Sequence, residues 1–326
     1  MDKKYIGIII LNYNNFEDTV ICIKSIEKYN TAPIKYIIID NGSPNPNVIS
    51  KLKNFLLLTF KEKYQHINNN NIKTLPYVSL ITNPINEGYA KGNNKGIELA
   101  YKDEEISDIL ILNNDVLFVE DIIPKLTSYY KQLKDVAILS PILYKKNLKD
   151  IDYNCARNNI SPWTEIGNNF FYYLFKAFNI PKFGANRYIL KNITQPTNRI
   201  IPIELPSGSC MYINKNLFKE IGFFDPNTFL YWEENILFKK TEKIHKHNYL
   251  CTDLKCIHLG ASSTISSPSL FIVDCNLKSS IYYMKKYSGC HPITLWIHYL
   301  STQFFKSLFI LQNRLKNKYK KKIYMP

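Results

Sequence analysis

The chain has 326 residues and is 45% apolar, enough to bury one large core and too much for a disordered chain. The net charge of +15 is uneven: after Asp274 come Lys278, Lys285, Lys286, Lys306, Arg314, Lys316, Lys318, Lys320, Lys321 and Lys322, and no acid. Seven cysteines without a CxxC pair exclude a disulfide framework and fit a reducing compartment, and no stretch reaches the roughly 18 to 20 apolar residues of a membrane span. Ile6–Leu11 reads as the first strand, too short for a signal sequence, and Phe16–Tyr29 as an amphipathic helix with Val20, Ile23 and Ile26 on one face. Tyr36–Ile39 is a second strand ending at Asp40, before the turn Asn41-Gly42-Ser43-Pro44. Val48–Phe60 reads as helix, Val78–Ile81 as strand, Asn93–Tyr101 as helix, Ile109–Leu112 as strand and Asp121–Leu133 as helix. This alternation predicts a doubly wound, mostly parallel α/β sheet.

The predicted strands end in Asn or Asp: Asn12, Asp40, Asn83, and Asn113 with Asp115. Strand ends on one edge of such a sheet form its ligand crevice. An Asn-x-Asp tip offers hard oxygen donors suited to Mg²⁺ or Mn²⁺ completed by a diphosphate. An ordinary Asn/Asp turn is the plain alternative. Residues 150–200 break the alternation with Trp163, Phe170, Phe171, Tyr172, Tyr173, Phe175 and Phe178, and read as an insertion or flap. Pro206–Ile213 is a strand with small residues at its mouth, Leu217–Ile221 a turn of helix, and Glu233–His245 a helix. Cys251, Cys256 and His258 have no zinc-ligand spacing, and the two cysteines are expected as core residues on strands.

Taken in order, Leu11-Asn12-Tyr13-Asn14, Ile39-Asp40-Asn41-Gly42-Ser43, Asn86-Glu87-Gly88-Tyr89-Ala90-Lys91-Gly92-Asn93-Asn94, Leu112-Asn113-Asn114-Asp115, Ser207-Gly208, Gly222-Phe223-Phe224-Asp225 and Tyr231-Trp232-Glu233-Glu234 carry a resemblance. The chain resembles the family-2 glycosyltransferases of GT-A fold, especially the rhamnosyltransferase-like group of bacterial surface-polysaccharide enzymes. The resemblance spans roughly residues 5–265. It implies a catalytic domain over 1–265, with the aromatic insertion inside it, and a basic helical region over 266–326.

It further implies inverting, metal-dependent transfer from a nucleotide-sugar (dTDP-rhamnose or a UDP-sugar) to a growing, lipid-linked capsule or O-antigen glycan. Asp115, helped by Asn113, neutralises the leaving diphosphate through Mn²⁺ or Mg²⁺. Related enzymes carry a His after the strand Leu254–Ile257, which assigns His258 to the metal or diphosphate, and an imidazole favours Mn²⁺. Asp40 accepts hydrogen bonds from the nucleoside, and Gly88, Gly92 and Asn93 allow close backbone approach to it. Asn12, Tyr13, Asn14, Asn86, Lys91, Asn114 and Gly208 complete the donor-binding set. Glu234 takes the place of the base that deprotonates the acceptor hydroxyl, where the family often has Asp. Glu233 and Trp232 orient the acceptor or the helix, although acids in a first helical turn also favour the helix dipole.

A dehydrogenase needs a G-x-G-x-x-G turn after the first strand and a phosphoryl transferase needs a G-x-x-x-x-G-K-[ST] loop, and neither is present. A degenerate, non-catalytic domain scaffolding a polysaccharide assembly complex is the alternative. For the tail, His291–Gln312 is apolar enough to lie on an anionic membrane, with Trp296, Tyr299 and Phe304 as anchors, which predicts a peripheral protein on the cytoplasmic membrane face. Packing on the catalytic domain or in a homodimer is the competing use. Nucleic acid is not an expected partner, because the strand-end acids repel phosphate.

Overall fold

Runs of isoleucine at both strand parities require a sheet covered on two sides. The computed structural model describes residues 4–68, 72–192, 199–260 and 269–323. In chain order the elements are β1 (Tyr5–Asn12), α1 (Phe16–Tyr29), β2 (Ile34–Asp40), α2 (Pro46–Phe60), β3 (Tyr64–His66), β4 (Val78–Thr82), α3 (Gly88–Lys102), β5 (Ile106–Asn113) and β6 (Val116–Phe118). There follow α4 (Ile123–Gln132), β7 (Val136–Tyr144), β8 (Ala156–Arg157), α5 (Pro162–Ala177), α6 (Ile189–Asn192), β9 (Ile200–Ile203), β10 (Leu205–Pro206) and β11 (Cys210–Asn214). The last are α7 (Lys215–Glu220), α8 (Glu233–Lys243), β12 (His247–His258), α9 (Leu270–Lys286) and α10 (Pro292–Ile323).

The main sheet runs β3-β4-β2-β1-β5-β11-β7-β12-β6, with β9 also on β12. From β3 to β5 every pairing is parallel, as expected. β11 then enters antiparallel between β5 and β7, so the second half of the sheet is mixed. Ile8, Ile10 and Tyr36 face α1 and α2 on one side. Ile9, Ile37 and Ile39 face α3 on the other. Burial on both faces is what near-continuous apolar strands require.

α3 begins five residues before the expected Asn93, because its glycines are packing residues rather than loop residues. A Cβ on Gly92 would meet Leu11 Cδ1 at 2.8 Å, and one on Gly96 would meet Ile39 Cδ1 at 2.7 Å. β12 is longer than the expected Leu254–Ile257 because a register shift between Cys251 and Lys255 interrupts its pattern. Cys251 and Cys256 are buried in it and free.

The aromatic span 150–200 does not stand apart as a flap. Its Cys155, Ala156, Ile166, Phe175 and Leu190 are buried, and α5 packs on α10 through Tyr172 and Phe305 at 4.9 Å between ring centroids. α9 seals the other side, with Tyr283 and Met284 against Trp232 and Ile236. No helix among the described residues is long and apolar enough to cross a membrane. Ala261-Ser262-Ser263 and the side chains of Lys316–Lys322 lie outside the described residues.

Candidate active site

The tips of β1, β2, β4 and β5 come together at one edge of the sheet, as the Asn/Asp row predicts. Polar side chains gathered at strand ends must satisfy one another when they are buried. Asn12 Nδ2 donates to Asp40 Oδ1 at 2.7 Å, and the Ser43 hydroxyl and amide donate to the same carboxylate at 2.5 and 3.1 Å. Asp40 and Asn12 are both fully buried. The pair clamps two strand tips: Oδ1 of Asp40 is held by Asn12 and the Ser43 hydroxyl, and Oδ2 accepts the Ser43 amide.

The helix opening at Gly88 is braced in the same way. Asn83 donates to Asn41 Oδ1 at 2.9 Å, and Asn41 donates to Asn86 Oδ1 at 3.0 Å. Asn86 Oδ1 also accepts the Gly88 amide at 2.9 Å. Gly88 has φ of +82°, and a Cβ there would sit 2.3 Å from the Phe229 carbonyl oxygen. The close approach it permits is therefore to the loop before α8, not to a ligand. Asn93 is buried and donates to the Tyr89 carbonyl at 3.0 Å, which removes it from the ligand-facing set. Lys91 is exposed, and Tyr13, 48% exposed, leaves a ring open at the crevice mouth. Asn14 holds a left-handed turn (φ +54°) with its amide on Ser43 Oγ at 2.7 Å. Asn114 reaches back to Thr19 Oγ1 at 3.0 Å, which fixes the turn that presents Asp115.

Asp115 and His258 meet across neighbouring strands, because β6 after the Asn114-Asp115 turn pairs with the end of β12. Asp115 Oδ2 lies 3.4 Å from His258 Nε2, and Asp152 Oδ2 lies 2.9 Å from Nδ1. Burial pulls the imidazole pKa down, but the hydrogen bonds and charges of Asp115 and Asp152 outweigh it and raise it to about 9. The pocket is thus built to hold positive charge. Two donors converge at a separation compatible with one shared cation, and a second carboxylate orients the imidazole from behind, the usual support of a metal-bound histidine. Among the described residues no group of three His, Cys, Asp or Glu donors forms, so this site fits a cation whose remaining ligands come from substrate. Beside it Asn113 braces the mouth of β11, its Nδ2 donating to Ser209 Oγ at 3.2 Å. A cavity of about 500 Å³ opens beside His258, and Lys145 and Lys146 line it.

Ser209 Oγ stands 3.4 Å from His258 Nε2, and the preceding Gly208 amide donates to Glu234 Oε1 at 3.1 Å. One dipeptide therefore joins the Asp115 pocket to the carboxylate expected to act as base. Tyr89 clamps it from the other side, its hydroxyl on the Gly208 carbonyl at 2.6 Å. Arg157 Nη2 lies 3.6 Å from Glu234 Oε1. Tyr89, Asp152, Arg157 and Ser209 were not singled out by the sequence. Asp152 and Arg157 lie in and beside the aromatic span, and Asp152 is 106 residues from the histidine it holds, so no local spacing reports them.

Glu233 and Trp232 are both buried at the start of α8. Tyr231 and Trp232 both adopt φ of +71°, a strained pair at the start of α8. That turn directs the Trp232 indole onto Tyr283, 5.1 Å between centroids, with its N–H on Asn276 at 3.0 Å. Glu233 is driven inward, and burial together with the Glu234 charge pushes its pKa up to about 8. A raised acid pKa stabilises the fold fully below the ordinary value of 4.5 and loses that contribution as pH rises through about 8. Glu233→Gln, which mimics the protonated acid, is expected to flatten this dependence. Its melting temperature relative to wild type should rise by several degrees between pH 5 and pH 9, read by thermal unfolding at both values.

This arrangement has relatives. A hexosyltransferase of low-salt glycan biosynthesis, Agl10 of Haloferax volcanii, is 25% identical over 230 residues, 70% of this chain and 59% of its own length. The chain thus spans about three fifths of that relative. The crystal structure of GalNAc-T7 with UDP, GalNAc and Mn²⁺ superposes with a TM-score of 0.56 at 13% identity, covering 86% of this chain and 48% of that one. The mannosyltransferase PcManGT of Pyrobaculum calidifontis, in complex with GDP-Man and Mn²⁺, gives 0.53 at 10% identity over 98% of this chain and 81% of its own. The fold is GT-A. Residues 7–222, which carry the strand-tip row, Asp115 and the Ser207–Ser209 mouth, match the family described as Glycosyl transferase family 2, and the chain belongs to that family.

Proposed function

We propose that this chain is an inverting glycosyltransferase that moves a hexosyl group from a nucleoside-diphosphate sugar to a hydroxyl of a glycan. The observation that carries the reading is the Gly208-Ser209 link, which holds Glu234 and the Asp115–His258 pair on one short segment. Transfer needs a base on the acceptor side and charge neutralisation on the leaving-group side. Asp115 and His258 are the residues that would hold a divalent cation, with Asp152 behind the imidazole. When bound, such a cation supplies Lewis-acid neutralisation of the departing diphosphate. Lys145 and Lys146 at the neighbouring cavity add positive charge for the same group. Glu234, hydrogen-bonded to Gly208, takes the proton from the acceptor hydroxyl as that oxygen attacks the anomeric carbon from the face opposite the diphosphate. Tyr13 offers the nucleobase an exposed ring to stack on.

The finer reading keeps dTDP-rhamnose or a UDP-sugar as donor, a lipid-linked capsule or O-antigen glycan as acceptor, and the anionic cytoplasmic face of the membrane as the place of work. A glycan acceptor agrees with the named role of the Haloferax volcanii relative. Mn²⁺ is the first cation to test, because both structural relatives were solved with it.

Thermal shift against UDP, GDP and dTDP, with and without Mn²⁺, tests the proposal. One diphosphate at about 100 times its Kd is expected to add about 2.7 kcal/mol of stability, and only with the metal. The matching nucleotide-sugar is then expected to turn over. A protein that no diphosphate stabilises overturns the reading, and one that binds without turnover favours the scaffold.

A further inference from the structure

α10 buries a polar stripe ahead of Phe305 and Phe309, which continue its inner face. Over about three turns its buried face carries Thr294, His298, Ser301 and Thr302. Two of them meet partners on the inner side: Ser280 Oγ lies 3.2 Å from His298 Nε2, and Asn169 donates to Ser301 Oγ at 3.3 Å. Its exposed face carries Ile293, Trp296, Leu300, Phe304, Leu311 and Leu315, spaced to form one stripe along the helix. With Phe305 and Phe309 packed inward, the outer stripe is apolar surface beyond what the core takes, and water is a poor solvent for it.

The aromatic insertion repeats the pattern. On α5, Trp163, Phe170, Phe171, Leu174 and Phe178 are exposed, while Ile166, Asn169 and Phe175 are buried. The two exposed stripes adjoin where Phe170 and Phe304 touch, 5.5 Å between ring centroids. Together they make one contiguous apolar surface. Charge identifies the occupant. Residues 166–203 contain five cations and no acid, and the chain after Asp274 contains ten cations and no acid. A second copy would bring the same positive segments against these, whereas an anionic bilayer surface complements both the stripe and its surroundings.

We propose that α5 and α10 form a single membrane-docking face, which lies in the plane of an anionic lipid surface. The inference deepens the lipid-linked acceptor reading by giving the aromatic insertion a role in it. α5 starts five residues after Arg157, which lies 3.6 Å from Glu234, so a short length of chain joins the N-terminal end of the docked face to the candidate base. An acceptor tethered in the bilayer would meet that base without leaving the surface.

The test uses the full chain without donor, so it reads docking independently of transfer. Flotation with phosphatidylcholine vesicles containing phosphatidylglycerol is expected to carry the protein, and pure phosphatidylcholine vesicles much less. Leu174→Glu with Phe178→Glu on α5, and Trp296→Glu with Leu300→Glu on α10, are each expected to lower partitioning at least about tenfold. In a Trp296→Phe protein the emission of exposed Trp163 is expected to shift to the blue on anionic vesicles, while buried Trp232 contributes a constant background. Wild-type flotation of the α5 variant, or no shift of Trp163, overturns the proposal. So does a dimer in sedimentation velocity that the same substitutions dissociate, which would assign the face to a second copy. A protein that floats but transfers nothing overturns the proposed activity and leaves the docking face standing.

Discussion

Asp115→Ala is expected to abolish transfer while the protein stays folded. The side chain lies at a turn between β5 and β6, outside the apolar layers, and His258 keeps Asp152 as its partner when Asp115 is gone. What disappears is one of the two donors that converge among the described residues, and a single imidazole does not retain a hard divalent cation. Two measurements check this. Turnover should fall below detection, and the affinity for the cognate nucleoside diphosphate should lose its dependence on Mn²⁺. Circular dichroism should be unchanged. An Asp115→Ala protein that is active and responds to metal removes Asp115 from the site.

Glu234→Gln is the second large effect. The amide keeps the volume and can still accept the Gly208 N–H, so the mouth of β11 stays in place. It cannot take a proton, and it leaves Arg157 without a charged partner at 3.6 Å. Donor binding is expected to persist while kcat falls by roughly 10² or more, the usual weight of a general base. The structure separates Glu234 from its neighbour on physical grounds. Glu233 is buried and Glu234 stays open to the crevice, its side chain 21% exposed. If Glu233→Gln costs more turnover than Glu234→Gln, the base lies one residue earlier and the exposure argument fails.

Local pattern carried much of this protein. Isoleucine runs at both parities announce a two-sided sheet, and the Asn/Asp strand ends announce which edge holds the chemistry, because both signals arise within a few residues of chain. Asp115, His258, Gly208 and Glu234 are put forward by the sequence for the same reason, each standing in a short motif. The glycines of α3 were legible as glycines only. Whether a missing Cβ admits a nucleotide or a neighbouring strand depends on what lies beyond it, and here that is Leu11, Ile39 and the Phe229 carbonyl. Asp40 was legible as a strand-end acid, but not that Asn12 and Ser43, from two strand tips, would hold it.

What only the tertiary structure decided lies between distant segments. Asp152 behind His258 and Arg157 beside Glu234 come from the neighbourhood of the aromatic span, whose own sequence shows bulk and no motif. The tail's composition pointed to a surface. That α5 shares this surface, and that α10 turns its polar stripe inward, follows from Asn169 meeting Ser301 and Phe170 meeting Phe304. Composition determines how much apolar area a chain must place, and long-range packing determines which of it is left facing outward.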